Sequence, residues 1–400
     1  MATSMKIFND PVYGFVKVPD GIIQDLINHP YFQRLSRIKQ VGTVSYVYPG
    51  ATHTRFHHAI GAYHLITEAL DTLRAKGVII TEEESEAVSI AILLHDVGHG
   101  PLSHALEGIL VDAHHESLTK LFMDVLNQEF NGKLSLAIKI FQNKHPKKFL
   151  HQLVSSQLDM DRLDYLNRDS FYTGVSEGII GYDRIIKMLD VRNNEIVVEE
   201  KGIYSIEHFL ISRRIMYWQV YLHKTTLAAE LMFIQLLKRL KEQILLQKYP
   251  VHNNLTFFLS RSFTIEDLKA DASLLNRFAL LDDHDIQYEL KLLMTSEDTV
   301  LSTLSTGLVN RKLFKLKYRT SATLPEKQLE IKAGLEEHYG SALLPYFYCT
   351  GQEKNVAYNK HNEIKILSKS GRVSNVSENK ELEIKSKTIT KYYSCYLKLE

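Results

Sequence analysis

The segment His95-Asp96-Val97-Gly98-His99-Gly100-Pro101-Leu102-Ser103-His104 contains three histidines and a carboxylate, directly after the apolar run from Ala87 to Leu94. An aspartate at the end of such a run is costly to bury unless it finds a partner. Imidazole and carboxylate groups together suit a borderline divalent metal such as zinc, iron or manganese. The segment therefore predicts a metal site, and its remaining ligands must come from other parts of the chain.

The flanking residues predict that this segment follows a helix. Thr81 and Glu84 have the spacing of a capping box, which marks a helix start. Gly98, Gly100 and Pro101 disfavour continued helix just after the His-Asp pair. We therefore expect the pair to lie at a helix end that is partly open to a cleft.

A second polar cluster, His53-Thr54-Arg55-Phe56-His57-His58, precedes another predicted helix. The apolar residues of that helix recur at the i, i+3, i+4, i+7 spacing of a single helix face. They are Ala59, Ala62, Tyr63, Ile66, Ala69, Leu70 and Leu73. His58 thus stands in the first turn of a regular element, where a metal ligand would be held rigidly.

A third cluster is the acidic segment from Asp159 to Asp169. In a helix, Asp161, Tyr165 and Asp169 fall at i, i+4 and i+8 and share one face. A later predicted helix, about Ile206 to Leu240, repeats that spacing with Arg213, Tyr217 and Tyr221, and Lys224 follows them.

Each cluster alone has an ordinary explanation. The histidines fit partly buried side chains, and the aspartates fit a solvated helix face with arginine partners. Together, His58, His95, Asp96 and one aspartate of the acidic segment would supply two histidines and two aspartates from three helices. Such a set leaves coordination positions for water and a substrate phosphate, as hydrolysis requires.

The composition argues against several classes of protein. The 400 residues include 48 Lys+Arg and 47 Asp+Glu, so a net charge of +1 gives no global attraction to nucleic acid or membranes. Cys349 and Cys395 lie far from the histidines and cannot form a cysteine-based zinc site. The first residues lack the apolar region of a signal peptide, and no apolar run approaches the roughly 20 residues of a membrane span. We therefore expect a cytoplasmic protein.

Longer motifs around these clusters resemble those of one enzyme superfamily. The set His58, His95-Asp96 and Asp161 looks like that of the HD-domain metal-dependent phosphohydrolases, whose fold is a helical bundle. Within that superfamily, three segments are similar to those of the deoxynucleoside triphosphate triphosphohydrolases, a group that includes bacterial dGTPases and the human SAM-and-HD-domain enzyme. They are Tyr31 to Gln40, Pro49 to His58 and His95 to His104, and the similarity extends over about Lys6 to Lys224.

The resemblance implies a mainly α fold. We expect an HD-domain catalytic core at 1–250, a helical extension at 251–320 and a smaller C-terminal α+β segment at 321–400 for oligomerisation or regulation. Alternating Ile, Lys, Thr and Tyr residues predict strands at Glu363 to Leu367 and Glu383 to Tyr396. Val44 to Tyr48 predicts a short strand or an extended link.

The resemblance also implies roles for individual residues. The metal ligands would be His58, His95, Asp96 and Asp161, and the divalent ion would be manganese, iron, zinc, nickel or magnesium. The catalytic residues near the scissile phosphate would be His99, His104, His115 and Glu116. Those on the phosphate path would be Arg55, Arg162, Arg213 and Lys224. Those around the deoxyribose would be Gln40, Val41, Tyr165, Asp169 and Tyr221.

Two site positions differ from some relatives. Arg162 stands where they have lysine, which preserves the charge but changes the geometry of phosphate contacts. Val41 stands where they have leucine, so we expect looser selection against a 2′-hydroxyl.

The implied partners are a dNTP substrate, a nucleotide effector and further copies of the chain in a dimer or tetramer. In the human relative an aspartate and an arginine bind an activating guanine nucleotide. Asn28 and Ser36 replace them here, although Lys6 and Asn9 match, so the same control is in question.

The predicted reaction is metal-dependent hydrolysis of a dNTP to a deoxynucleoside and inorganic triphosphate. A metal-activated water would attack the α-phosphorus, and His115 or His104 would act as general acid. One alternative is an HD phosphohydrolase of a monophosphate or a signalling nucleotide, which the segment His99-Gly100-Pro101 disfavours. The other is a non-catalytic nucleotide sensor or nucleic-acid binder, which the neutral charge and the single tryptophan disfavour.

Overall fold

A computed structural model describes residues 5–102, 106–356, 363–379 and 388–399. Helices account for most of these residues, which confirms the predicted mainly α fold. In the first part of the chain the helices are α1 (Ile22–Asn28), α2 (Pro30–Gln33), α3 (Arg55–Ala75), α4 (Glu82–Leu94), α5 (His115–Glu129), α6 (Ser135–Phe141), α7 (Lys148–Val154), α8 (Met160–Thr173) and α9 (Tyr182–Lys187).

The second half is also rich in helices. They are α10 (Ile203–Met216), α11 (Lys224–Leu245), α12 (Asn254–Leu259), α13 (Ile265–Ala270), α14 (Ala272–Ala279), α15 (Asp283–Leu293), α16 (Thr299–Val309), α17 (Glu326–Tyr339) and α18 (Leu344–Phe347). The described helices include none with the length and apolar character needed to cross a bilayer.

Within the described residues, short strands form three small sheets. The strands are β1 (Met5–Asp10), β2 (Gly14–Pro19), β3 (Leu189–Arg192), β4 (Glu195–Glu199), β5 (Lys315–Arg319), β6 (Tyr348–Val356), β7 (Lys365–Leu367), β8 (Val373–Asn375) and β9 (Thr388–Tyr396). The sheets have the orders β1-β2, β3-β4-β7-β8 and β5-β9-β6. The parallel pairing of β4 with β7 joins the end of the chain to the helical core, and β5 enters the C-terminal sheet from before residue 321.

The long helix α3 packs against α4 and α8 at the centre of the core. Its predicted apolar face is buried as expected. The predicted capping box at the start of α4 is also present, because Glu84 N–H donates to Thr81 Oγ1 at 3.1 Å and Thr81 N–H donates to Glu84 Oε2 at 2.9 Å. The core thus follows the sequence pattern closely.

Two local predictions are wrong. Residues Gly42–Tyr46 form a 3-10 helix instead of a strand or extended link, because backbone bonds such as Val44 N–H to Val41 O stay within the segment. The helix predicted at 206–240 is interrupted: Tyr217–Tyr221 winds as a π-helix, and extended backbone at His223 caps α11 through its ring nitrogen. Because of this interruption, Tyr217 and Tyr221 lie in the π-helix, whereas Lys224 begins the separate helix α11.

The strand prediction for the C-terminal segment is confirmed with shorter bounds. Strand β7 begins two residues after Glu363, and β9 covers the second predicted strand from Thr388. The first residues of that second prediction, 383–387, lie outside the described residues.

A buried ionic network fixes α3 against α8. The Arg168 side chain is 0% exposed, and its guanidinium donates to both carboxylate oxygens of Asp164 at 2.9 Å and to Asp10 Oδ2 at 2.8 Å. Gly61 of α3 lies directly against this pair, since a Cβ there would overlap Asp164 and Arg168. The close approach of the two helices therefore requires a glycine at this point.

Replacement of Arg168 by methionine should strongly destabilise the protein. It would remove the arginine that pairs with both Asp164 and Asp10, and breaking a buried pair in this way costs about 3–5 kcal/mol. The free energy of unfolding of the metal-free protein, from urea titration, measures the loss.

The matched control is Lys269→Met, which removes the exposed Lys269–Glu266 pair. We expect that change to stay within about 0.5 kcal/mol of the wild-type value. Similar losses in the two variants would contradict a special role for the buried network.

Candidate functional site

Three donor atoms from separate helical elements meet at one point. His58 lies in the first turn of α3, His95 directly after α4, and Asp161 in the first turn of α8. His58 Nε2 lies 3.3 Å from His95 Nε2 and 3.1 Å from Asp161 Oδ1, and His95 Nε2 lies 3.6 Å from the same oxygen. The three atoms are close enough to bind one ion.

Asp96 stands at the edge of this cluster. Its Oδ1 lies 3.5 Å from His95 Nε2, and its Oδ2 lies 3.8 Å from His58 Nε2. The same carboxylate also pairs with Arg55 and contacts His99 Nε2 at 3.3 Å. Burial alone would raise the pKa of Asp96. The charges of Arg55, His95 and His99 nevertheless hold that pKa well below its ordinary value. Asp96 is therefore an anion between the predicted metal ligands and the predicted catalytic residues.

Hydrogen bonds to the outer nitrogens orient the two ligand histidines. His58 Nδ1 contacts Asp164 Oδ2 at 2.7 Å, and His95 Nδ1 contacts the carbonyl oxygen of Ile92 at 2.5 Å. When both Nδ1 atoms donate, each Nε2 presents a lone pair to the cluster, which is the pattern of metal-binding histidines. The donor set therefore fits a divalent cation.

The electrostatics of the cluster agree with a cation site. Burial alone would lower the pKa of His58, but hydrogen bonds to Asp161 and Asp164 raise it to about 10. Burial would raise the pKa of Asp161, yet His58 and His95 hold it far below its ordinary value. Proton charge on the histidines thus takes the place that a metal ion would fill, since a metal requires the neutral imidazoles.

Arg34 holds the turn that carries Asp96 and His99. Its side chain is fully buried and donates from Nη1 to the carbonyl oxygens of Val97 at 3.0 Å and His99 at 2.8 Å. Other nitrogens of the guanidinium donate to the carbonyl oxygens of Ala279, the last residue of α14, and of Leu281, just beyond it. A single arginine therefore fixes the turn to two parts of the core.

His115, the first residue of α5, stacks on His99 with ring centroids 4.0 Å apart. Glu107 Oε1 accepts from the backbone N–H of His115 at 2.8 Å and lies 3.0 Å from its Nδ1. Burial, followed by the nearby Arg55 charge, lowers the pKa of His99 well below its ordinary value, so His99 is neutral at pH 7. The two rings thus form a histidine pair beside Asp96.

Glu116 is the predicted carboxylate beside His115, but in the structure Glu107 occupies that position. Glu116 is exposed on α5 and acts electrostatically on His151, whereas Glu107 contacts His115 directly. Side chains of adjacent helix residues do not face each other. This rule alone argues against a contact between Glu116 and the ring of His115. His104, the alternative general acid, lies outside the described residues.

A cavity of about 360 Å³ opens in front of this cluster, within the size range of small-molecule sites. It is lined by the predicted residues Gln40, Val41, Arg55, Asp96, His99, His115, Asp161, Arg162, Tyr165, Asp169 and Tyr221. It is also lined by residues that sequence analysis did not assign, namely Gly42, Thr43, Val44, Leu102, Tyr217, Thr226 and Glu230.

Asp169 anchors the sugar-binding corner predicted from the resemblance. Its Oδ2 accepts from the Tyr221 hydroxyl at 2.6 Å, and its Oδ1 lies 2.7 Å from the buried His53 Nε2. The ring of Tyr165 meets that of Tyr221 edge to face, with centroids 6.2 Å apart. His53 was not predicted, because its link to Asp169 spans more than a hundred residues of sequence.

Two predicted phosphate contacts lie outside the cavity lining. Arg213 donates to Gln157 Oε1 at 3.2 Å and lies over the ring of Tyr217, and Lys224 is exposed at the start of α11. Arg55 and Arg162 do line the cavity. Of the four predicted phosphate-binding cations, only these two arginines therefore line the cavity.

Comparison with known proteins gives consistent matches. A family model described as the HD associated region matches residues 180–251. The Bacillus subtilis (strain 168) relative YwfO, an uncharacterized protein, is 34% identical over 394 residues, which span 93% of this chain and 87% of that protein.

A relative from Dictyostelium discoideum carries the name of a deoxynucleoside triphosphate triphosphohydrolase SAMHD1 homolog. It is 35% identical over 249 residues, which cover 57% of this chain and 48% of the relative. The match thus spans about half the length of that enzyme.

A crystal structure of a phosphohydrolase from Bacteroides thetaiotaomicron superposes with a TM-score of 0.94. Its sequence is 48% identical, and the match covers 99% of this chain and 100% of that one. Full-length agreement at this identity extends from the helical core to the C-terminal sheet. The chain belongs to the HD-domain metal-dependent phosphohydrolase superfamily, in the branch that includes relatives named as deoxynucleoside triphosphate triphosphohydrolases.

Proposed function

We propose that this protein hydrolyses deoxynucleoside triphosphates to a deoxynucleoside and inorganic triphosphate. The observation that carries the proposal is a cavity lined by Asp161 of the donor cluster, by Asp96 at its edge, by two arginines and by a tyrosine-aspartate corner. A triphosphate is highly anionic and suits arginine, whose planar group can form two hydrogen bonds to a phosphate. The corner of Tyr165, Tyr221 and Asp169 offers polar and aromatic contacts of the kind a sugar needs.

His58, His95 and Asp161, with Asp96 at their edge, would hold one divalent cation. When bound, the cation supplies a Lewis acid that withdraws electron density from a phosphoryl oxygen and acidifies water. The remaining contributions to the reaction come from protein groups. Arg55 and Arg162 bind and orient the phosphate chain, which brings the α-phosphorus to the water-accessible side of the cavity.

The reaction requires a proton balance that the histidine pair can provide. Attack of water on the α-phosphorus forms one P–O bond and breaks the bond to the O5′ oxygen of the deoxynucleoside. The attacking water releases a proton, and O5′ takes one up. His115, held through Nδ1 by Glu107, presents Nε2 as the proton donor to O5′, and His104 stays the alternative.

The decisive assay is product analysis with the manganese-loaded protein and each dNTP, alone and in mixtures. We expect a deoxynucleoside and inorganic triphosphate in equal amounts. Turnover that requires a second nucleotide would add control by an effector. Intact dNTPs in every mixture, with metal confirmed in the protein, would overturn the proposal.

Asp161→Asn should abolish both metal retention and turnover. It replaces an anionic oxygen that lies between the two ligand histidines with a neutral amide. Loss of a Lewis acid worth several kcal/mol corresponds to a fall in kcat of about a thousandfold. Elemental analysis of the purified variant and the initial rate on dNTPs measure the two effects.

Asp183→Asn provides the control, because Asp183 is an exposed carboxylate on α9 outside the cavity lining. It should retain wild-type metal content and rate. An Asp161→Asn protein that keeps its metal would rule out this donor set.

Substitution of the two glutamates near His115 should separate their roles. Glu107→Gln should lower kcat by about a hundredfold with little change in KM, because general acid catalysis contributes about that much. Glu116→Gln should lower kcat far less, since Glu116 is exposed and lies outside the cavity lining. Steady-state kinetics of both variants give the comparison.

The same substitutions in a His115→Ala background provide the internal test. If Glu107 acts by positioning His115, then Glu107→Gln adds no further loss once the imidazole is gone. Full additivity of the two changes, or a larger loss in Glu116→Gln, would reject this assignment.

A further inference from the structure

One acidic side chain of the cavity differs from the others. Asp96, Asp161 and Asp169 each have a cationic or hydrogen-bonding partner in the protein. Glu230 also lines the cavity, but among the residues that the structure describes none donates a hydrogen bond or forms an ion pair to its carboxyl group. The chemistry of the predicted reaction does not use it.

Glu230 lies on the part of the cavity wall that α11 forms. It follows Thr226 by one helical turn, so the two side chains share the helix face that lines the cavity. After burial, the charge of Glu353 in β6 raises the pKa of Glu230. The charge of Glu230 in turn adds to burial in raising the pKa of Tyr318 in β5 and of Tyr393 in β9. Glu230 therefore stands away from the His/Asp cluster, whose ligands come from α3, α4 and α8.

The position is unfavourable for an acid that has no ligand. Burial and the neighbouring Glu353 raise the pKa of Glu230 to about 7. A partly buried carboxylate loses hydration that hydrogen-bond donors would have to replace. Two other polar atoms of the cavity walls, Gln40 Oε1 and Thr226 Oγ1, also lack a hydrogen-bond partner among the described residues. Such unsatisfied groups are expected where a polar ligand binds.

We propose that Glu230 reads the nucleobase and selects guanine, by accepting hydrogen bonds from N1–H and the 2-amino group. This inference rests on the proposed dNTP substrate. A nucleotide with its phosphates at the His/Asp cluster and its sugar at Tyr221 and Asp169 extends its base towards the Thr226 and Glu230 wall. The adjacent rings of Tyr217 and Tyr221 supply an aromatic surface beside that base.

The Watson–Crick edges of the bases give the selectivity. Guanine presents two adjacent donors, which match the two oxygens of a carboxylate. Adenine and cytosine each place an acceptor nitrogen beside an amino group, so one carboxylate oxygen would face a lone pair. Thymine has a single donor between two carbonyl oxygens. A site built to hydrogen-bond one group rejects a ligand that leaves its buried atoms unpaired.

The test compares wild type, Glu230→Gln and Glu353→Gln in the full-length, manganese-loaded protein. The measured quantity is the ratio of kcat/KM for dGTP over dATP, which is independent of the fraction of folded enzyme. We expect a wild-type ratio of about ten or more, consistent with a bidentate contact to a base. Glutamine has one donor and one acceptor, so Glu230→Gln should bring the ratio close to one.

Glu353→Gln is the matched control. It removes the neighbouring acid that lies outside the cavity lining, and the preference for guanine should persist. A wild-type enzyme without preference for dGTP, or an active Glu230→Gln enzyme with an unchanged ratio, would overturn base reading and leave the proposed reaction standing.

Calorimetric binding of dGMP and dAMP to the same proteins separates the two proposals. If no dNTP is hydrolysed, but dGMP binds at least about tenfold more tightly than dAMP and Glu230→Gln removes the difference, base reading stands and the proposed reaction fails. If hydrolysis and Glu230-dependent binding are both absent, both proposals are overturned.

Discussion

The site depends on a continuous line of charge from the N-terminal hairpin to the ligand cluster. Asp10 pairs with Arg168, Arg168 pairs with Asp164, and Asp164 contacts the Nδ1 atom of His58. Every member is buried, so each charge requires the next one to offset its lost hydration. The position of β1 and the orientation of the imidazole of His58, a predicted metal ligand, are therefore parts of one network. Loss of any of these contacts would lower the stability of the fold and change the orientation of the His58 ring.

The same network holds the first turns of α8 in place, and these turns supply a carboxylate to the cluster. Asp161 lies one turn from Asp164 on α8, and Asp159 caps that helix by accepting from Arg162 N–H at 2.7 Å. The first turn of α8 therefore presents one carboxylate outward to the cluster and the other inward to His58. Because the helix is held at both points, the donor atoms converge without a flexible loop between them. The cluster is thereby pre-organised, which reduces the cost of binding an ion.

Local spacing predicted the helices that carry the cluster, and the family resemblance supplied the candidate ligand set, including the choice of Asp161. His58, His95 and Asp161 come together as expected, since caps and apolar periodicity fix where their helices begin and end. Periodicity could not predict long-range partners such as His53 with Asp169, which approach only once α3 and α8 are packed. The π-helix at Tyr217–Tyr221 was missed for a similar reason, because its residues have ordinary helical periodicity.

The charges of the cavity link metal and substrate binding. Among the described residues that line it, the carboxylates of Asp96, Asp161, Asp169 and Glu230 outnumber the guanidinium groups of Arg55 and Arg162. Without a metal ion, protonated His58 and His95 offset part of this negative charge, and Arg55 and Arg162 already pair with acidic neighbours. A divalent ion at His58, His95 and Asp161 would displace these imidazole protons and give the phosphates a cation that they can coordinate directly. Metal and substrate would then each raise the affinity for the other, because such coupling is reciprocal. The surplus of acidic groups would thus favour the binding of nucleotides to the metal-loaded site over the metal-free site.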